Sequence, residues 1–337
     1  MSDPLPLIMT IVPDGLGTAA IAAWAFAPEN VSDLLPPLWL LCIPGGSYRG
    51  LAYYDRQVPG SAPATYSMAR TLASHGVGLV VIDNLGTGAS RVESDGTRLT
   101  RVVFADAYRQ LVTQLRARLA AGTLVAGLAQ VDEDRLFLAG VGHSLGAALL
   151  IQTMASHPCL DAAVLLGWPV RPDTTTPQTV AACLAALNQQ WSDELEAGQE
   201  MLQPARQTLA PFFYGPDLPR ALIEQDVADA VGVPATWADF LRPGAFAEEA
   251  ARLSCPLFVG FAGIDTLTPH ADVAAYPSTT SLTLVVQPDA PHCATFAHGR
   301  HALWQEISSF VRAQATGRRP LPVALPDEAA ATQPLAW

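Results

Sequence analysis

Basic residues are scarce in this sequence, and so are charged residues of any kind. Only 15% of its 337 residues are Asp, Glu, Lys or Arg, and 31 acidic against 19 basic residues give a formal net charge of −12. A chain this acidic repels phosphate backbones, so we expect no nucleic-acid partner. Half of the residues are apolar, which is enough for one large domain with an insertion or for two domains.

Long apolar runs are also absent. No segment reaches 18 uninterrupted apolar residues, and the richest run, PLWLLCI at 37–43, has the length of a strand. The N-terminal stretch MSDPLPLIMTIVPDG lacks the positively charged region that opens a signal peptide. We therefore expect no membrane span, no signal peptide and a cytoplasmic protein, while the oligomeric state, a homo-oligomer included, stays open.

The cysteines form no recognisable pattern. There are five, an odd number, and none belongs to a C-x-x-C pair: Cys42, Cys159, Cys183, Cys255 and Cys293. This spacing fits neither a disulfide framework nor a zinc site. We expect reduced and mostly buried thiols, and no metal.

Short apolar runs alternate with longer stretches of helical character. The candidate strands are 21–26, 38–43, 78–83, 135–140, 162–167, 257–263 and 282–287, and the candidate helices are 63–75, 101–120, 145–157, 269–275 and 297–315. Most of these strands are apolar on both faces, which is typical of sheets covered by helices on both sides. The alternation predicts an α/β fold with a mostly parallel central sheet.

This alternation is interrupted between 171 and 246. There the sequence is rich in Gln, Glu and Ala, is punctuated by proline and glycine, and contains no candidate strand. We predict a core made of residues 1–170 and 247–315, a helical insertion at 171–246, and an extended tail at 316–337, which carries four prolines.

Residues 140–147 read GVGHSLGA and lie between a candidate strand and a candidate helix. A strand that turns directly into a helix needs one sharp, strained residue, whose side chain then stands out at the edge of the sheet. Ser144 occupies that position, and Gly142 and Gly146 provide room for the close approach of the backbone. The alternative is a serine that caps an ordinary helix.

The segment Gly142-His143-Ser144-Leu145-Gly146 resembles the nucleophile elbow of the α/β-hydrolase fold family. Two further stretches resemble that family: LLCIPGGSYRG at 40–50 is similar to its oxyanion loop, and the D-x-x-G-x-G-x-S pattern of residues 83–90 occurs in many members. The resemblance covers roughly 20–170 and 250–315. It implies the α/β-hydrolase fold, and it places the insertion at 171–246 where the family commonly carries a helical cap.

The resemblance also implies a catalytic triad in the chain order Ser, Asp, His. Asp265 follows the strand PLFVGFAG, and His292 lies in the loop after the last candidate strand. A serine hydroxyl is a weak nucleophile, so it needs this base, and the base needs the acid to fix its tautomer. Weaker alternatives are His298 and His301 for the base, and Asp173, Asp272 and Asp289 for the acid.

The oxyanion hole would consist of two backbone N–H groups. One belongs to Leu145, the residue after the serine, and the other to Gly46, with Ser47 as the alternative donor. The family usually opens this loop with His-Gly, whereas this chain has Pro44 in place of the histidine.

Aromatic residues in the insertion and near the oxyanion loop suggest a roomy apolar pocket. The candidates for substrate contact are Trp168, Tyr48, Phe212, Phe213, Tyr214 and Trp237. We therefore predict a serine hydrolase of a bulky apolar ester or lactone that works without a cofactor. Thioester hydrolysis or acyl transfer, carbon–carbon bond hydrolysis and non-catalytic sensing of a small ligand are the alternatives.

Overall fold

A central β-sheet organises the protein in the computed structural model, which describes residues 3–30, 36–92, 98–171 and 175–317. The strands are β1 (Leu5–Ile11), β2 (Ala19–Phe26), β3 (Leu38–Ile43), β4 (Gly78–Ile82), β5 (Arg91–Val92), β6 (Phe137–His143), β7 (Ala163–Leu166), β8 (Met201–Leu202), β9 (Val233–Pro234), β10 (Leu257–Ala262) and β11 (Leu282–Gln287). All except β8 and β9 belong to the central sheet.

The helices connect and cover these strands. They are α1 (Gly50–Tyr54), α2 (Met68–Ser74), α3 (Arg101–Ala120), α4 (Leu145–Ser156), α5 (Gln178–Glu196), α6 (Ala210–Phe213), α7 (Arg220–Ala228), α8 (Ala247–Ala251), α9 (Pro269–Asp272) and α10 (Arg300–Gly317). Short 3-10 turns lie at Glu133–Arg135, Ala235–Leu241 and Val273–Ala275. Across the described ranges, no helix is both long enough and apolar enough to cross a membrane.

The sheet is mostly parallel, as the sequence predicts. Its strand order is β1-β2-β4-β3-β6-β7-β10-β11, with β5 paired to β2. All pairings from β4 to β11 are parallel, and β1 and β2 pair antiparallel at one edge. Every residue of β3, β4, β6 and β10 is buried, so both faces of the sheet are covered. This architecture is the α/β-hydrolase fold.

The strand predictions for the central sheet need correction at β1 and β5, which they omit, and at β6. The sequence-based expectation omits β1, because this edge strand buries only Met9 and Ile11 and its other residues are polar, proline or partly exposed. β6 begins at Phe137, two residues later than predicted, and it continues to His143. Its last residues extend the ladder, since Gly142 pairs with Ile43 of β3 and His143 pairs with Leu166 of β7.

Residues 175–246, called the inserted segment below, connect β7 to the strand–helix alternation that resumes at α8. They are helical, as predicted, with α5, α6 and α7 as the main elements. The expectation that this region contains no strand is wrong, because β8 and β9 form a two-residue antiparallel ladder. The predicted division into core, cap and tail stays a prediction, and residues 318–337 of the tail lie outside the described residues.

The stretch after β4 is held by a buried carboxylate. Asp83 Oδ1 accepts the Gly50 N–H at 2.7 Å, and Oδ2 accepts the Ala89 N–H at 2.7 Å. The hydroxyl of Ser90 donates to the Asp83 carbonyl and accepts from the Ala22 N–H, which ties the same turn to β2. Gly88 lies against this carboxylate at φ +55°, so a Cβ there would lie 2.1 Å from Asp83 Oδ2.

Replacing Gly88 with alanine should destabilise the fold through this contact. We expect Gly88→Ala to lower the free energy of unfolding by about 3–4 kcal/mol, because it disrupts two buried hydrogen bonds and adds backbone strain. Gly127→Ala is the matched control, since Gly127 also has positive φ but has no atom within 4 Å of a new Cβ. Urea unfolding should give about 1–2 kcal/mol for the control, and equal losses in both variants would contradict the explanation.

Candidate active site

The candidate nucleophile, Ser144, lies in a one-residue turn. β6 ends at His143 and α4 begins at Leu145, so Ser144 alone makes the change of direction, with φ 52° and ψ −124°. This is a costly conformation for a residue with a Cβ, and it persists only where the surroundings fix it. Two backbone hydrogen bonds do so, from the Ser144 N–H to the Leu166 carbonyl at 2.8 Å and from the Ala147 N–H to the Ser144 carbonyl at 2.8 Å.

The two glycines of the motif are required by backbone packing. A Cβ on Gly142 would lie 2.5 Å from the Gly146 carbonyl oxygen, and one on Gly146 would lie 2.3 Å from the Ile43 carbonyl oxygen. Helix α4 therefore starts almost in contact with β3 and β6. Ser144 stays partly exposed while residues 137–143 and Leu145 are buried, so its hydroxyl is accessible at the start of the helix.

Asp265 and His292 form a buried hydrogen-bonded pair. The distance between Asp265 Oδ1 and His292 Nδ1 is 2.6 Å, and both side chains are almost fully buried. Asp265 follows β10, and its second oxygen accepts the Ala262 N–H at 2.8 Å. Because a carboxylate accepts, His292 donates through Nδ1–H, which directs its Nε2 away from the carboxylate.

The ring of His292 is also held from the inserted segment. Phe212 stacks on it with ring centroids 4.2 Å apart, and Phe213 lies 5.4 Å away. The backbone N–H of His292 donates to the Phe212 carbonyl at 3.0 Å. The orientation of the imidazole therefore depends on Asp265 from the core and on α6 from the inserted segment.

His143, the residue before Ser144, supports the loop that carries His292. Its Nε2–H donates to the backbone carbonyl of His292 at 3.0 Å, and its ring stacks on Tyr53 with centroids 4.5 Å apart. Burial is the main cause that holds the pKa of His143 well below its ordinary value, and the neighbouring His292 adds to it. His143 is therefore neutral, which suits a donor to a carbonyl.

Ser144 meets the Asp265–His292 pair at one cavity, which all three residues border. Gly167 comes directly after Leu166, whose carbonyl accepts the Ser144 N–H. A Cβ on Gly167 would lie 3.1 Å from His292 Cε1 and 3.3 Å from Asp265 Oδ2, so this residue packs on the pair. No hydrogen bond joins the described side chains of Ser144 and His292. Such contacts often form only when substrate is bound.

The loop after β3 lies beside the serine. A Cβ on Gly45 would lie 3.2 Å from the Ser144 Cβ, and Gly46 and Ser47 border the cavity together with Leu145. The Asn84 side chain holds the start of this loop by donating to the Pro44 carbonyl at 2.9 Å. Within the described ranges the N–H groups of Gly46 and Ser47 have no acceptor, so both are available to a ligand.

The cavity has a volume of about 430 Å³ and is mainly apolar. One side of the cavity is the edge of the sheet at which Ser144 lies, and the opposite side is the inserted segment. The α5 residues along it are Val180, Ala181, Leu184, Ala185, Leu187, Asn188 and Trp191. Residues 241–246 close a further side.

Comparison with known proteins identifies the family. The model of the alpha/beta hydrolase family matches residues 40–306. This chain belongs to the α/β hydrolases. A search of curated protein sequences finds no significant match.

Solved structures agree on the fold of this α/β hydrolase. It is similar to a thermophilic esterase from Thermogutta terrifontis, with 16% identity, a TM-score of 0.59, and coverage of 92% of this chain and 99% of that chain. A proline iminopeptidase from Mycobacterium smegmatis has 15% identity, a TM-score of 0.57 and coverage of 93% and 100%. A carboxylesterase from Bacillus subtilis has 15% identity, a TM-score of 0.55 and coverage of 92% of each chain.

The structure separates the six aromatic residues predicted to contact substrate into two groups. Trp168, Phe212 and Phe213 border the cavity of this hydrolase. Tyr48, Tyr214 and Trp237 lie behind its wall. The Tyr48 and Tyr214 hydroxyls donate to Asp226, and the fully buried Trp237 packs on Phe104 of α3 and on Phe240 of the inserted segment.

The alternative acids and bases lie elsewhere. His298 and His301 are exposed, and Asp272 accepts the N–H groups of Val170 and Arg171. Asp289 is exposed in the turn after β11, and Asp173 lies outside the described residues. In the described parts of the chain, no group of three or more His, Cys, Asp or Glu side chains could hold a metal ion.

Sequence reasoning missed three kinds of site residue. Gly167, with φ +63°, packs on the Asp265–His292 pair, and the wall formed by α5 contributes a large part of the apolar lining. His143 is part of the motif itself, but its contact with the loop of His292 spans 149 residues of sequence. Of these three, only the α5 wall could have been found from the sequence, because its apolar residues recur with helical periodicity.

The low pKa of His143 predicts a pH dependence of stability. The unfolded chain binds a proton on this residue below about pH 6.5, whereas the folded chain does not, so folding free energy is lost as pH falls. Relative to His143→Gln, the wild type should lose up to about 1.4 kcal/mol per pH unit below that pH. Urea unfolding from pH 8 to pH 5 checks this, and difference curves that stay flat throughout would contradict it.

Proposed function

We propose that this α/β hydrolase cleaves a carboxylic ester or lactone of a bulky apolar substrate through Ser144, His292 and Asp265. The observation that carries the proposal is that the 2.6 Å Asp265–His292 pair and the strained Ser144 border one cavity. This supports a nucleophile, a base and an orienting acid in the roles that acyl transfer requires.

In the first half of the reaction, Nε2 of His292 takes the proton of the Ser144 hydroxyl while Oγ attacks the acyl carbon. Asp265 stabilises the imidazolium that forms and keeps its Nδ1 proton directed at the carboxylate. His292 then gives the proton to the leaving oxygen, so an alcohol departs and an acyl-enzyme remains. In the second half, water replaces the serine by the same steps, and the acid is released.

The negative charge of the tetrahedral intermediate needs fixed donors. The backbone N–H groups of Leu145 and Gly46 are the proposed pair, with Ser47 as the alternative to Gly46. Leu145 is the first residue of α4, where N–H groups have no partner within the helix and the helix dipole favours negative charge. Such donors act strongly in a site that excludes water.

The lining of the cavity supports an apolar substrate. Its volume of about 430 Å³ accommodates a medium-length acyl chain or an aromatic group beside the scissile bond, and the wall formed by α5 is mostly Val, Ala, Leu and Trp. The inserted segment would then act as a cap over the nucleophile. Two of the similar structures are esterases, which agrees with this choice.

Hydrolysis of a panel of p-nitrophenyl esters, lactones and acyl thioesters tests the proposal. We expect turnover of esters or lactones with medium-length acyl chains, and a loss of at least about 10⁴-fold in kcat for Ser144→Ala, since only binding and the oxyanion donors then remain. Turnover of thioesters alone would replace the ester assignment. Saturable binding of the substrates without acylation of Ser144 would favour a sensor.

A pair of histidine variants provides the control for the base. His292→Ala should lower kcat by a similar factor, because no other described side chain can accept the serine proton. His298→Ala changes an exposed histidine six residues further along and should retain wild-type kcat. Loss of activity in His298→Ala with retention in His292→Ala would contradict the assignment.

The α5 wall should set the length of acyl chain that is accepted. Ala185→Trp fills part of the cavity, so kcat/KM for a ten-carbon acyl ester should fall about 100-fold relative to a four-carbon ester, equivalent to losing three or four methylenes at about 0.8 kcal/mol each. Ala186→Trp is the control, since Ala186 is exposed and does not border the cavity. An unchanged chain-length profile in Ala185→Trp would show that substrates bind elsewhere.

A further inference from the structure

A buried ion cluster lies directly behind the oxyanion loop. At its centre is Asp226 of α7, whose side chain is fully buried. Asp226 Oδ1 lies 2.8 Å from Arg56 Nη2, and Oδ2 accepts the Tyr48 hydroxyl at 3.0 Å and the Tyr214 hydroxyl as well. Arg206 Nε lies 3.6 Å from the same oxygen. We call these five residues the Asp226 cluster.

The cluster joins two parts of the chain. Tyr48 and Arg56 follow β3 and belong to the core, whereas Arg206, Tyr214 and Asp226 belong to the inserted segment. The aromatic ring of Tyr48 lies under the guanidinium of Arg206, with 3.5 Å from Cζ to the ring centroid. The cluster therefore fixes the inserted segment against the residue that follows the oxyanion loop.

Ser47 is the residue on which these contacts act. Its carbonyl oxygen accepts two hydrogen bonds from the inserted segment, from Arg206 Nη2 at 3.0 Å and from the Val231 N–H at 3.1 Å. Its φ of 61° is left-handed, an unfavourable conformation for serine that needs outside support. Holding the Ser47 carbonyl also restrains the preceding peptide unit, which carries the free N–H of Ser47, and through it the next unit back, which carries the free N–H of Gly46.

Arg206 is poorly satisfied for a buried arginine. Its side chain is 3% exposed, and Nε and Nη1 have no hydrogen-bond partner among the described residues. Among the described residues, the one hydrogen bond of the Arg206 side chain runs from Nη2 to the Ser47 carbonyl. An arginine buried with idle donors contributes little to folding, because it loses hydration without full compensation. Its hydrogen bond to the Ser47 carbonyl explains its position better than a contribution to folding does.

We propose that Arg206, held by Asp226, is a positioning residue that sets the oxyanion loop through the Ser47 carbonyl. The inserted segment thereby completes the oxyanion hole as well as lining the cavity. This inference rests on the proposed function, since it concerns the hole that serves acyl transfer at Ser144. It requires that Arg206 affects the transition state more than substrate binding or folding.

Arg206→Met is the variant that tests it. Methionine fills a similar length without charge, and Asp226 stays compensated by Arg56 and the two tyrosines. We expect kcat for a p-nitrophenyl ester to fall roughly 10- to 100-fold, below the loss for a missing donor, with KM within about threefold and the urea midpoint unchanged or higher. Arg206→Lys keeps the charge and one donor nitrogen, so it should restore part of kcat.

A second measurement reports on the oxyanion hole itself. Ser144 adds to the carbonyl of an alkyl trifluoromethyl ketone, which moves the carbonyl electrons onto oxygen and the serine proton to His292. The inhibition constant should rise in Arg206→Met by the factor lost in kcat, while that of the corresponding alkyl alcohol should not change. Arg116→Met is the matched control, because Arg116 also pairs with an aspartate, Asp161, and donates to a carbonyl, that of Cys159.

The outcomes separate this inference from the proposed function. Arg116→Met should lose stability and retain kcat, the reverse of Arg206→Met. Unchanged kcat and unchanged ketone affinity in Arg206→Met would overturn the positioning role. A loss of kcat that accompanies a loss of stability, while the ketone affinity is retained, would also overturn it. A wild-type protein that neither cleaves esters nor binds the ketone would instead refute the proposed function, and this inference with it.

Discussion

The turn of a single residue between β6 and α4 is the constraint on which the site depends. It forces Ser144 to φ 52° and leaves its hydroxyl accessible beyond the edge of the sheet. The turn is possible only because glycine stands on either side, where a side chain would meet backbone atoms at about 2.3–2.5 Å. The same geometry brings the N-terminus of α4 under the cavity, so an accessible serine hydroxyl and a free backbone donor arise from one local feature.

The parallel sheet supplies the remaining parts of the site. Strands β3, β6, β7, β10 and β11 run side by side, so the loops that follow them meet at one edge. Gly46 follows β3, Gly167 follows β7, Asp265 follows β10 and His292 follows β11. The Asp265–His292 contact is then fixed by packing against Phe212 and His143 in a region with little water, where a hydrogen bond is electrostatically stronger than in solvent.

All seven strands predicted from the sequence are present, and the candidate triad stays a prediction; both rest on local signals. Apolar runs of strand length, the glycine pattern around Ser144 and the places of Asp265 and His292 after strands are visible in the chain itself. The aromatic contacts were harder to assign. Tyr48 and Tyr214 lie close in sequence to residues that border the cavity. Their hydroxyls, however, require buried partners, and Asp226 accepts from both of them behind the cavity wall. Trp237 is fully buried and does not border the cavity.

The sequence by itself determined the fold class and the sharp turn at Ser144, because each is set by periodicity or by a sterically required residue type within a few positions. The candidate order Ser, Asp, His is what the resemblance to the family implies. Only the tertiary structure decided which side chains border the cavity, that Phe212 and His143 hold the loop of His292, and that Arg206 and Asp226 brace Ser47. Those contacts join residues separated by 80 to almost 180 positions. Their geometry follows from how the inserted segment docks on the sheet, and no local pattern encodes that.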